Sequence, residues 1–136
     1  MIRPIVTSPI FLRLPSEEAT PEDVALGQDL LDTLAAHAHE CVGMAANMIG
    51  VRKRIIVVQD GSVPRLMFNP KILERAQEYQ TEEGCLSLTG TRVATRFQRI
   101  KVCYLDSAFN AETAVFTGYT AQIIQHEIDH CDGIVI

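Results

Sequence analysis

The chain has 136 residues, 47% of them apolar and 21% charged, with a formal net charge of -5 at pH 7 and an isoelectric point near 5.3. That length fits one domain, residues 1–136, able to bury a core without disulfides or a structural metal, and the composition excludes disorder. The acidic balance argues against direct nucleic-acid binding, and no apolar run approaches the roughly 18 residues of a membrane span.

Met1 to Leu14 is broken by Pro4 and Pro9 and lacks both a continuous apolar region and a small-residue cleavage site, so a cytoplasmic location is expected. The four cysteines, Cys41, Cys85, Cys103 and Cys131, show no paired spacing and read as free thiols. Ile2 to Leu14 is expected to run extended. Thr20-Pro21-Glu22-Asp23 is a helix start: Thr as N-cap, Pro at the first helical position, acids where the macrodipole favours them. The helix should continue to about His39, with Val24, Leu31, Leu34 and Ala38 on one core-facing stripe.

Cys41-Val42-Gly43-Met44-Ala45-Ala46-Asn47-Met48-Ile49-Gly50 is rich in small residues, which lets backbone approach something closely. Its plain alternative is a tight turn. Arg54 to Gln59 is a β-branched strand closed by Asp60-Gly61. Arg65 to Asn69 is a short strand ended by Asn69-Pro70, and Lys71 to Gln80 mixes helix and strand signals, strand being preferred. Thr81 to Ser87 is a loop or strand end. Arg92 to Thr95, Arg99 to Leu105 and Thr113 to Phe116 are further strands. A last helix from about Thr120 to Cys131 is apolar on several sides, with Gly133 as its stop. Strands in succession followed by one buried helix predict an α+β domain: antiparallel or mixed sheets packed around a central C-terminal helix, plus one N-terminal helix.

The last helix carries His126-Glu127-Ile128-Asp129-His130. This H-E-x-x-H pattern puts two imidazoles on one helix face with a carboxylate beside them. A catalytic metal site generally has three protein ligands and one open position. Cys131 to Ile136 alone follow His130, and Cys131 points roughly 100° around the helix, so the third ligand must lie upstream. Cys85, in a glycine-preceded loop, is the first candidate; Glu82, Glu83, His37 and His39 are its rivals. A Cys-His-His site suits Fe²⁺ or Zn²⁺, which softness alone does not separate. Glu127 would then take a proton from bound water and pass it to a leaving amine, a metal-assisted amide hydrolysis. Asp129 is either support for a ligand or a solvated residue.

Gly43-Met44-Ala45-Ala46 with Gly50, Glu83-Gly84-Cys85-Leu86-Ser87, and Gln125-His126-Glu127-Ile128-Asp129-His130 resemble, in order and spacing, the three signature motifs of peptide deformylases. The resemblance covers nearly the whole chain. It implies Cys85, His126 and His130 as ligands of one divalent metal, usually iron, with Zn²⁺ or Ni²⁺ as alternatives. It further implies Glu127 as base, the Leu86 N–H as an oxyanion donor, and a formylmethionyl nascent peptide as substrate. Backbone from Val42 through Gly43 to Met44 would pair with that peptide, the Met44 side chain itself being a packing residue, and Val42 and Ile123 would wall its methionine pocket. Arg92, after the metal loop, is a candidate contact to substrate backbone, weighed against an exposed sheet arginine.

Two departures stand out. Cys41 occupies a motif glycine position, and Met48 replaces a glutamine whose amide donates to the oxyanion. Losing one such donor typically costs about 10²–10³ in rate; Asn47, one position off, carries the nearest amide. The chain is also expected to stop short of the family's further C-terminal helix, and so to lack a surface for the ribosome as a partner. Two readings follow: a deformylase of reduced activity, favoured by Glu127, and a silent metal-binding relative that recognises formyl-peptides or a protein partner, favoured by Met48.

Overall fold

In the structure, a computed structural model, residues 1–134 are described. Strands pair with their neighbours in chain order, all antiparallel, to give one five-stranded sheet. They are β1 (Gly43–Ala45), β2 (Ile55–Asp60), β3 (Val63–Cys85), β4 (Leu88–Leu105) and β5 (Ala111–Thr117). The helices are α1 (Pro9–Leu12), α2 (Val24–Ala36) and α3 (Gly118–Cys131).

Alternation along the strands makes two cores. Ile56, Val58, Met67, Ile100 and Val102 turn to one face and meet Ala121, Ile124 and Ile128 of α3. Met44, Ile55, Val57 and Phe68 turn to the other and meet Leu30 and Leu34 of α2. Each fully buried isoleucine or leucine contributes on the order of 2 kcal/mol from apolar burial, so the two helices are held by side chains of opposite parity on the same strands. The expected α+β arrangement holds, with α3 buried at the centre against β1, β2, β4 and β5. The strands form a single meander, with a helix on either face.

Several local expectations change for physical reasons. Asn69-Pro70 does not end a strand; the pairing register shifts between Phe68 and Lys71, so Pro70, which has no N–H, falls in a bulge and β3 continues for 23 residues. Asn69 itself takes φ 51 and clasps the N-terminal segment, accepting from the Ala19 N–H at 2.7 Å and donating to the Ala19 carbonyl at 3.0 Å. Likewise Arg92–Thr95 and Arg99–Leu105 are parts of one strand, β4. In the lead segment, expected to be extended throughout, Ser8 caps a single helical turn that starts at Pro9, the same Ser/Thr-Pro signal as Thr20-Pro21. Pro21–Asp23 is a 3₁₀ turn leading into α2, which stops at Ala36 because the His37 and Ala38 N–H groups bond carbonyls three residues back.

The stop of α3 is set by Gly133, at φ 76. A Cβ there would collide with the Arg13 carbonyl oxygen and lie 2.9 Å from its carbon. Gly133→Ala is therefore expected to lower the unfolding free energy by about 2 kcal/mol or more, read as a lower urea midpoint at unchanged slope. An unchanged midpoint would show that the C-terminal turn is not packed on the lead segment as described.

Candidate active site

Helix α3 brings His126 and His130 to one face, four residues apart, and the end of β3 brings Cys85 against them. The two Nε2 atoms lie 3.2 Å apart, and Cys85 Sγ lies 3.3 Å from His130 Nε2. The three donor atoms all fall within 4.8 Å of one another. Two ligands held tetrahedrally by one cation at ordinary N and S bond lengths sit about 3.3–3.6 Å apart, so this donor set fits a Zn²⁺- or Fe²⁺-sized ion. Burial works to lower His126, yet hydrogen bonding to Cys85 and Glu83 carries it up to about 10, so a cation bound here would have to displace a proton from its ring. Burial, with the charges of His126 and Arg96, pushes His130 down to about 3. It therefore presents a neutral imidazole.

Behind the donors runs a ladder of charge. His126 Nδ1–H donates to Glu83 Oε1 at 2.8 Å. Arg96 grips both oxygens of Glu83, Nη2 to Oε1 at 2.7 Å and Nε to Oε2 at 2.9 Å, and reaches Asp129 Oδ2 at 2.7 Å through Nη1. Gln122 of α3 adds a further donor to Glu83 at 2.9 Å. Burial alone raises a carboxyl, but the hydrogen bonds from His126, Arg96 and Gln122 outweigh it and hold Glu83 at about 2. Glu83 is thus an orienting carboxylate, which holds His126 by Nδ1 and turns Nε2 toward His130 Nε2. Sequence reasoning misses Arg96. Its one signal is parity, two strand positions beyond the buried Ala94, where an ordinary sheet arginine would not turn inward.

Glu127 is 4% exposed, and its Oε1 has no hydrogen-bond partner among the described residues. Burial pushes its carboxyl up to about 7. It borders a cleft of roughly 340 Å³, whose lining includes Cys85, His126, Leu86, Met48, Val42 and Ile123. Gly43 explains how the helix comes so near: a Cβ there would lie 2.6 Å from Ile123 Cγ2 and 3.0 Å from Glu127 Oε2. The close approach expected of the small-residue segment is made to α3 itself.

Other expected residues separate. Leu86 borders the cleft, and among the described residues its N–H meets no acceptor. Met44 lies on β1 and, as expected of a packing residue, its side chain is fully buried, on the α2 face. Arg92 stands opposite Glu83 across the β3–β4 ladder, but it is exposed and does not line the cleft. Glu82 is an exposed residue of the cleft wall, while His37 pairs with Glu40 at 3.1 Å and His39 is exposed. None of these three joins the donor cluster. Asp129 supports Arg96. Asn47 is fixed by donating to the His130 carbonyl at 2.9 Å.

The polypeptide deformylase family model matches residues 2–136. A peptide deformylase of Clostridium beijerinckii is 54% identical over 136 residues, covering 100% of both chains. A class I type b peptide deformylase from Acinetobacter baumannii, crystallised with actinonin bound, superposes with a TM-score of 0.89 at 30% identity, covering 99% of this chain and 95% of that one. The same enzyme with Met-Ala-Ser bound gives a TM-score of 0.89 at 28% identity, over 99% and 97% of the two chains. Full-length identity, a shared fold and the three motifs around one cleft lead to the same place: this chain belongs to the polypeptide deformylase family of metal-dependent hydrolases.

Proposed function

We propose that this chain removes the formyl group from N-terminal formylmethionine of nascent peptides leaving the ribosome in the cytoplasm, using one divalent cation, iron foremost, held by Cys85, His126 and His130. The observation that carries this reading is the convergence of those three donors beside a buried glutamate with an unpartnered oxygen, at a cleft that Cys85, His126 and Glu127 line. A cation bound there supplies Lewis acidity to a water and to the formyl carbonyl.

The chain's own residues do the rest. Glu127, raised by burial, takes a proton at its carboxylate and returns it to the departing amine. The Leu86 N–H donates to the oxygen that gains charge. Val42 and Ile123 flank the space for the methionine side chain, and the open edge of β1 offers backbone groups to an extended peptide. Glu83 and Arg96 keep His126 aimed throughout.

Met48 is the weak point. It lines the cleft but offers only a thioether, and its Sδ lies 3.5 Å from the Ala45 N–H as an acceptor. Asn47 does not line the cleft, and its amide donates to the His130 carbonyl at 2.9 Å. This favours a slow enzyme and sustains the second reading, a formyl-peptide binder without turnover.

With anaerobically purified, iron-loaded protein and a formyl-Met peptide, Glu127→Ala is expected to cut kcat by about 10²–10⁴ while metal content stays at one per chain. Equal rates in wild type and variant would sink the proposed role of Glu127. Met48→Gln is expected to raise kcat by about ten-fold or more, part of the 10²–10³ that an oxyanion donor typically supplies. No gain would mean that the Leu86 N–H is not short of a companion.

A further inference from the structure

β1 is the end strand of the sheet, and its pairing with β2 leaves one side open among the described residues. The Val42 carbonyl accepts from the Gln59 N–H at 2.8 Å, so alternation turns the N–H and C=O groups of Gly43 and Ala45 to the unpaired side. Two of those groups are already engaged, both by sulfur. The Cys41 thiol donates to the Gly43 carbonyl at 2.8 Å, and the Ala45 N–H reaches Met48 Sδ at 3.5 Å. Both sulfur-bearing side chains line the cleft. These are the two positions at which the chain departs from the family motif.

An extended peptide pairing with this edge needs the Gly43 carbonyl for one of its own N–H groups. We propose that Cys41 is a specificity-determining residue of the cleft: its thiol occupies the Gly43 carbonyl and competes with the incoming peptide backbone, setting how tightly peptides bind. The inference rests on the proposed function, since it takes the β1 edge as the peptide's docking strand. Burial pushes the thiol up to about 11, so the sulfur keeps the proton that this hydrogen bond requires. Thiols are weak donors, so a peptide N–H can displace the contact, whereas a hydroxyl in the same place would hold it harder. An edge capped in this way is also less open to pairing with another chain.

The test is a series at one position, Cys41→Ala and Cys41→Ser, read by KM and kcat on formyl-Met-Ala-Ser and by the Kd of Met-Ala-Ser on the same metal-loaded protein. A net hydrogen bond is worth about two- to ten-fold in binding. Cys41→Ala is expected to lower KM and Kd about three-fold, and Cys41→Ser to raise them by a similar factor, with kcat and metal content held within two-fold. Any other order, including no difference or weaker binding in Cys41→Ala, would overturn the proposal. Because Met-Ala-Ser binding ranks the variants without turnover, an inactive wild type would count against the proposed function and leave this inference tested.

Discussion

The buried ion pair between Arg96 and Glu83 is the interaction on which the site depends. Both side chains are 5% exposed, and the contact is a two-pronged one. Arg96 belongs to β4 and Glu83 to β3, while His126, Gln122 and Asp129 reach them from α3, so one guanidinium fastens two strands to the helix that bears the candidate ligands. Removing one partner from such a buried pair costs about 3–5 kcal/mol, because the remaining charge has no water to turn to. Here the loss would fall on ligand geometry first. Glu83 would lose its anchor, His126 its tautomer, and the donor cluster its convergence.

Much of the site is legible in the order of residues alone. H-E-x-x-H and Glu-Gly-Cys-Leu-Ser each carry a local pattern, and it is the resemblance to a family motif that sets Cys85 above Glu82, Glu83, His37 and His39 as the third ligand. Arg96 cannot be picked out in the same way. Its contacts lie 13 and 33 residues away, and within Ala94-Thr95-Arg96-Phe97 the single cue to an inward arginine is the parity it shares with buried Ala94. Differences at the level of the fold have the same origin. Asn69-Pro70 looks like an ending until the partner strand supplies a bulge to hold it, and Arg92–Thr95 looks separate from Arg99–Leu105 until Glu78–Glu83 pairs along the gap. Met44 is expected to pack, and strand alternation decides which core it joins, the one on the α2 face.

The cleft combines an intact acid–base apparatus with altered oxyanion support. Glu127 sits where burial raises it and where one oxygen is left for a ligand, an arrangement that costs stability and has no purpose in a purely structural site. Against it, sulfur replaces a small residue at Cys41 and an amide at Met48, and both sulfurs turn their hydrogen bonds to the β1 edge. On the proposed function, this is a site that moves a proton but binds backbone and oxyanion through weaker contacts.

The proposed chemistry stands or falls on one sulfur and two imidazole nitrogens sharing a single cation. X-ray absorption at the iron edge, on protein loaded anaerobically to one metal per chain, counts those scatterers directly. One sulfur at about 2.3 Å with two imidazoles and a remaining light-atom ligand is the predicted shell. A shell of nitrogen and oxygen alone, or one unchanged in Cys85→Ser, would contradict it.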